Sequence, residues 1–272
     1  MATTTKIVFC TGANTGLGYS LIKAAGLRYP EKYTFILGSR DVERGNEAVA
    51  KLRADGVTGA IDVVKIDVNN DDEVSEAVTF VEKKYGRLDA LINNAGILRR
   101  VEPCDSLSHI RETYNELLNT HISSVAVVTE GFTSLLRKSA DPKVISVTSG
   151  LASCHNALRK KMGRSAAYGS SKVGLNGLMV HLQVAENDRI AAAATEEEKQ
   201  KPVIRYYVCA PGPCNTGFVK ALPIPKNFDV SKLRTPDRGA EVMVRLMADD
   251  EGTYEGGSHW EYEEDEMRQV PW

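Results

Sequence analysis

Lys6-Ile7-Val8-Phe9-Cys10-Thr11-Gly12-Ala13-Asn14-Thr15-Gly16-Leu17-Gly18 stands near the amino end of the 272-residue chain and joins an apolar run to a glycine-rich turn and the start of a helical pattern. Glycines let backbone come close to a pyrophosphate, and the helix end that follows offers it unpaired N–H groups and the positive pole of the helix dipole. The spacing is GxxxGxG rather than the more common GxGxxG of dinucleotide-binding turns. A turn that serves only the fold is the competing reading. Its place after the first strand of an alternating chain favours phosphate binding.

Outward from this turn, short β-rich runs alternate with longer segments of helical period. The runs predict strands at Lys6–Cys10, Tyr33–Leu37, Ile61–Ile66, Leu88–Ile92, Lys143–Val147, Val203–Cys209 and near Ser258–Trp260. Helical patterns fall at about Leu17–Leu27, Val42–Ala54, Asp72–Tyr85, Leu107–Arg137, Ala166–Asn187 and Pro236–Met247. Several strands lack alternation of polar and apolar residues, as expected of strands buried on both faces. The expected fold is α/β: one Rossmann-type doubly wound domain over residues 1–272, with about seven parallel strands and helices on both faces. No repeat or linker divides it. The Ala- and Glu-rich stretch Ala191–Gln200 reads as an insertion within residues 188–201.

Composition admits an enzyme without naming one. Hydrophobic residues make up 42% and charged residues 26%, and the net charge of −2 is spread along the chain. That balance gives no electrostatic grip on nucleic acid or an anionic membrane. The five cysteines are scattered without a CxxC pair, so a reduced, cytoplasmic setting is expected. No apolar stretch has transmembrane length, and the first residues do not read as a signal peptide. No HExxH or clustered Cys/His pattern suggests a metal.

Chemistry is concentrated in Ala166-Ala167-Tyr168-Gly169-Ser170-Ser171-Lys172. Residues i and i+4 of a helix share a face, so Lys172 can stand beside the Tyr168 phenol. A free phenol titrates near ~10 and exchanges protons reluctantly at neutral pH, and an adjacent ammonium is expected to lower that value. An amphipathic surface pair is the plain alternative. Ser149, at the end of a predicted strand, is a candidate to hold an oxygen against the phenol, with Thr148 a rival one residue away. His121, His155 and His181 read as surface or packing residues.

Taken in order, Thr11 to Gly18, Asn93-Asn94-Ala95-Gly96, Asn119, Ser149, Tyr168 to Lys172, and Pro211-Gly212 with Thr216 resemble the short-chain dehydrogenase/reductase family over nearly the whole chain. Ser39-Arg40-Asp41-Val42-Glu43-Arg44-Gly45 makes the carbonyl-reductase-like members the most similar. The resemblance implies a nicotinamide dinucleotide lying across the carboxyl ends of the strands. It implies a catalytic set of Asn119, Ser149, Tyr168 and Lys172. Tyr168 would give a proton to the carbonyl oxygen as hydride reaches the carbon, Ser149 would hold that oxygen, Lys172 would also bind the nicotinamide ribose, and Asn119 would position a relay water. Gly12, Asn14, Thr15, Gly16, Leu17 and Gly18 would form the phosphate turn. Asn94, Ala95 and Gly96 would pack by the adenosine ribose. Asp67 would bind the adenine amino group, or else cap the turn that follows it, and Val68 would add a backbone contact. Pro211, Gly212 and Thr216 would flank the nicotinamide and diphosphate.

An NAD enzyme carries a carboxylate about 20 residues past the glycine turn. Here Ser39 lies 21 residues past Gly18. Serine tolerates a 2′-phosphate and Arg40 offers it a permanently charged fork, so NADP(H) is the expected cofactor. Asp41 reads instead as the N-cap of the next helix. The long stretch over residues 153–164 should border the active site, and an apolar lid is expected within residues 212–235, so the substrate is expected to be a fairly large apolar ketone or aldehyde. Oxidative alcohol dehydrogenation, and a catalytically idle nucleotide-binding regulator, are the alternative functions. The family implies a homodimer or homotetramer.

Overall fold

The computed structural model describes residues 5–159, 165–195, 197, 200–220 and 233–272. Strands β1 (Lys6–Cys10), β2 (Tyr33–Ser39), β3 (Ile61–Lys65), β4 (Ala90–Asn93), β5 (Lys143–Val147), β6 (Arg205–Ala210), β7 (Ser258–Glu263) and β8 (Glu266–Gln269) form one sheet in the order β3-β2-β1-β4-β5-β6-β7-β8. The first seven are parallel; β8 pairs antiparallel with β7. The strand order reverses between β1 and β4, which opens a crevice at their carboxyl ends.

Strand β1 shows why the sheet is covered on both sides. Val8 and Cys10 enter one core and Ile7 and Phe9 the other, because successive side chains of a strand point to opposite faces. Helices α1 (Gly16–Arg28) and α2 (Val42–Ala54), with the last helix Pro236–Ala248, close the first core. Helices α3 (Asp71–Tyr85), α5 (Ser124–Leu136) and α7 (Ala166–Ala191) close the second, where the rings of Phe9 and Phe132 meet at 4.9 Å. Helix starts follow local chemistry. The Asp41 carboxylate accepts from the Glu43 and Arg44 N–H groups, Asn70 caps α3 in the same way, and Thr235 with Pro236 opens the last helix.

Two expectations need correction. The long helix predicted over Leu107–Arg137 is two α-helices, α4 (Leu107–Leu118) and α5, joined by a π-helical turn over Asn119–Ser123. An inserted residue of this kind rotates the side chains that follow it, which hydrophobic period alone does not disclose. Strand β8 was not predicted at all: its hairpin turns through Glu264 and Asp265, both at positive φ, without the Asn-Gly or Asp-Gly signal that marks such turns.

Beyond β5, residues Cys154–Arg159 form a short helix, α6, and α7 runs on to Ala191 into the predicted insertion. Residues 160–164 of the long stretch and 221–232 of the expected lid lie outside the described residues. Among those described, no helix is long and apolar enough to cross a membrane.

Candidate active site

The carboxyl ends of β1 and β4 are tied together by two polar side chains. The Thr11 hydroxyl accepts from the N–H groups of Asn94 and Ala95 at 3.1 and 3.0 Å. In return, the Asn94 amide donates to the carbonyls of Thr11 and Gly12 at 2.9 and 3.0 Å. This lattice turns the glycine loop away from the sheet and fixes its path. Gly12 and Gly16 take φ values of +62° and +61°, which side chains disfavour. Gly18 works by close packing: a Cβ there would stand 2.7 Å from the Asn94 amide nitrogen and 2.8 Å from the Ala13 Cα.

Above the loop lies a cleft of about 950 Å³. That is at the upper end of small-molecule sites and gives room for a dinucleotide together with a substrate. One end is lined by Asn14, Thr15, Arg40, Asp67 and Val68, and the middle by Gly12, Gly16, Leu17, Asn94, Ala95 and Gly96. Pro211, Gly212 and Thr216 form the opposite lip. The glycine cradle, the N-terminus of α1 and Arg40, which has no ion pair among the described residues, therefore fit a phosphate-bearing dinucleotide. Gly18 and Ser39 do not line the cleft. The Ser39 side chain is buried, and its hydroxyl donates to the Asp41 carbonyl at 2.7 Å. The expectation that Ser39 meets a 2′-phosphate is corrected on that ground: the turn that places Asp41 as a cap consumes the Ser39 hydroxyl. Arg40 alone faces the cleft. Asp67 lines the cleft, and one of its oxygens accepts from the Asn69 N–H at 3.0 Å, the capping contact of the turn that follows it.

At the other end Ser149, Tyr168 and Lys172 converge. Thr148 is excluded as the oxygen-holding hydroxyl because it donates to the buried Asn176 side chain at 2.7 Å. Ser149 accepts from the Leu151 N–H at 3.2 Å, capping a short 3-10 turn, and its side chain stands near enough to the Tyr168 phenol to favour loss of its proton. Lys172 is buried, and its ammonium donates to the Val147 carbonyl at 2.8 Å, standing 5.9 Å from the centre of the Tyr168 ring. Burial pulls its pKa down to about 7, against a small opposing effect of Cys209. The expectation that Lys172 lowers the Tyr168 pKa is not met in this structure. Burial raises that pKa, the nearby Ser149 side chain opposes the rise only in part, and the phenol stays protonated at neutral pH.

Asn119 does not join them. It is exposed, opens the π-helical turn, and donates to the Asn69 side-chain oxygen at 3.1 Å. Thr120 and Ser124 donate to the same oxygen, so Asn119 belongs to a knot that holds this turn to the loop after β3. The residue that the turn brings inward is His121, only 1% exposed. Its ring meets Tyr168 edge-on, with centroids 5.5 Å apart and planes at 86°. Asn69 is thus the participant that sequence reasoning missed, while Thr11 entered only as the first residue of the turn motif and His121 was read as a surface or packing residue. A polar residue amid a helical apolar pattern was the only available signal for His121.

Comparison with known proteins agrees with this architecture. Residues 6–226 match the family model for short chain dehydrogenases. A short-chain dehydrogenase/reductase of Aspergillus fumigatus is 50% identical over 268 residues, covering 98% of this chain and 97% of its own. The chain belongs to the short-chain dehydrogenase/reductase family, and is therefore an oxidoreductase that uses a nicotinamide cofactor. Carbonyl reductase [NADPH] 1 of Mus musculus is 25% identical over 272 residues, covering 90% of this chain and 92% of its own. The solved structure of NADPH-bound carbonyl reductase from chicken fatty liver superposes with a TM-score of 0.76 at 19% identity, covering 98% of this chain and 99% of that one.

Removing the Asn94 amide should loosen the cradle without emptying the core. Asn94→Ala loses two hydrogen bonds of about 1 kcal/mol each, so nicotinamide dinucleotide binding should weaken roughly ten- to thirtyfold. Titration of intrinsic fluorescence with the reduced cofactor measures it.

Proposed function

We propose that this protein reduces a ketone or aldehyde with NADPH, using Tyr168 as proton donor. One observation carries the reading: a buried, proton-loaded phenol, flanked by Ser149 and Lys172, stands at one end of a cleft whose other end presents the glycine cradle and Arg40. The bound nicotinamide would supply a hydride to the carbonyl carbon. Ser149 and Tyr168 would both donate to the carbonyl oxygen, and the phenol proton would pass to it as negative charge develops there. An alkoxide is a far stronger base than a phenolate, so the raised Tyr168 pKa does not prevent that transfer. It keeps the donor charged with its proton before substrate arrives. Lys172, at hand on the same helix face, would stabilise the phenolate left behind.

Arg40 supports NADPH over NADH. Its guanidinium faces the cleft without an ion-pair partner among the described residues, where a 2′-phosphate would meet a planar fork of donors. The names of the mouse relative and the chicken structure point the same way. The substrate end is apolar. Ile97, Leu98, Leu151 and Phe218 pack around Tyr168, with the Phe218 ring 6.1 Å from the phenol ring, which favours a carbonyl bearing apolar or aromatic substituents.

The purified protein should oxidise NADPH with some member of a panel of apolar ketones and aldehydes, and Tyr168→Phe should lower that rate at least about 10²-fold while leaving NADPH bound. A rate unchanged by that substitution would sink the proton-donor role. Arg40→Ala should reduce the preference for NADPH over NADH about tenfold or more, corresponding to loss of a charge-assisted hydrogen bond. The pH profile has a defined sign. Lys172 has Tyr168, His121 and Cys209 as titratable neighbours, all neutral at pH 7, and it loses its own proton near 7. Reductive kcat/KM for the free enzyme should therefore be full below pH 7 and fall as pH rises through it, and Lys172→Met should remove that fall.

A further inference from the structure

His121 occupies a buried site with a hydrogen-bonding partner at each ring nitrogen. Its Nε2 lies 3.2 Å from the Ile97 N–H, which has only donation to offer. Its Nδ1 lies 2.8 Å from the Ser171 hydroxyl oxygen. That hydroxyl in turn donates to the Tyr168 carbonyl at 2.7 Å, so its proton is already committed. Only one arrangement satisfies all three groups: Nε2 accepts from Ile97, and Nδ1–H donates to Ser171. The imidazole is then a neutral strut running from the apolar rim of the cleft to the backbone of Tyr168.

The surroundings enforce this state. A proton on Nε2 would face the Ile97 N–H, donor against donor. Lys172 adds a nearby positive charge, and burial with that charge pushes the His121 pKa down to about 3. Gly96 permits the approach, since a Cβ there would stand 3.3 Å from Nε2. The π-helical turn at Asn119–Ser123 then aims the ring inward, while the Asn69 knot holds the turn's outer side.

We propose that His121 is a positioning residue for the reaction, a two-ended hydrogen-bonded strut that sets the distance between the Ile97–Leu98 rim, where substrate rests, and the Tyr168 phenol. This inference rests on the carbonyl-reductase reading of the same site. Misplacement of reacting groups by about 1 Å can cost on the order of 10² in rate, so loss of the strut should be felt at chemistry and not at cofactor binding.

Two substitutions separate a strut from mere packing. His121→Phe keeps an aromatic ring against Tyr168 but leaves the Ile97 N–H without its acceptor and the Ser171 oxygen without its donor. His121→Gln fills the space less well but carries both an acceptor and a donor. The strut predicts that kcat for carbonyl reduction drops about 10- to 100-fold in His121→Phe, with KM for NADPH unchanged, and recovers to within several-fold of wild type in His121→Gln. The opposite order, with Phe active and Gln impaired, would identify a packing ring and overturn the proposal.

A second measurement needs no turnover. In protein labelled with ¹⁵N-histidine, the His121 resonances, assigned by their loss in His121→Gln, should report the neutral Nδ1–H tautomer throughout pH 5 to 8. A protonated ring or the Nε2–H tautomer in that range overturns the strut, even if His121→Phe does not fold. Absence of any carbonyl-dependent NADPH oxidation by wild-type protein would instead count against the functional reading, and the tautomer would still decide the role of the ring.

Discussion

The joint between Thr11 and Asn94 is the constraint from which the rest of this molecule follows. A doubly wound sheet reverses its strand order between β1 and β4, and helices leave those two strands toward opposite faces. Backbone groups at the reversal cannot all be paired by neighbouring strands, and an unpaired buried polar group is costly. One hydroxyl and one amide satisfy five backbone groups there, if the weaker contact from Thr11 to the Ile92 carbonyl is included. The glycine loop is thereby held open above the strand ends. The cleft is the space left by that geometry.

Polar groups are placed along this cleft by a division of labour. Over the glycine loop the backbone does most of the work, through glycines that admit close approach and a helix N-terminus that favours negative charge. Around Tyr168 side chains do it, and burial governs them. Burial keeps Tyr168 protonated, brings Lys172 into the range where it titrates near neutrality, and holds His121 neutral beside it. Three ionisable groups in contact would repel or compete in water. Here one cation is shared among neutral partners, and the Val147 carbonyl, not the phenol, receives its hydrogen bond.

Much of this was legible in the residues. Asp41, Asn70 and Thr235 cap helices because their side chains reach N–H groups two or three residues on, which is local chemistry. Bounds of β1, β5 and α2 agree with the apolar runs that predicted them. Strand β8 escaped because its turn is built from Glu264 and Asp265, residues that seldom adopt positive φ. Ser39 and Asn119 were misread for a common reason. Each is a polar residue at a position of the right number, and its hydroxyl or amide is taken by a neighbour that spacing does not reveal: the Asp41 backbone for one, Asn69 for the other.

The sequence by itself determined the alternation of strands and helices, the glycine turn between the first pair, and the placing of Tyr168 and Lys172 on one helical face, because each depends on residues within a few positions of one another. The tertiary structure alone decided which polar groups meet. Asn119 and His121 are two residues apart, yet a single π-helical turn sends one to solvent and the other against Tyr168. Protonation was decided at the same level. A pKa depends on what surrounds a group in three dimensions, and the water excluded from Tyr168, Lys172 and His121 is excluded by residues from distant parts of the chain.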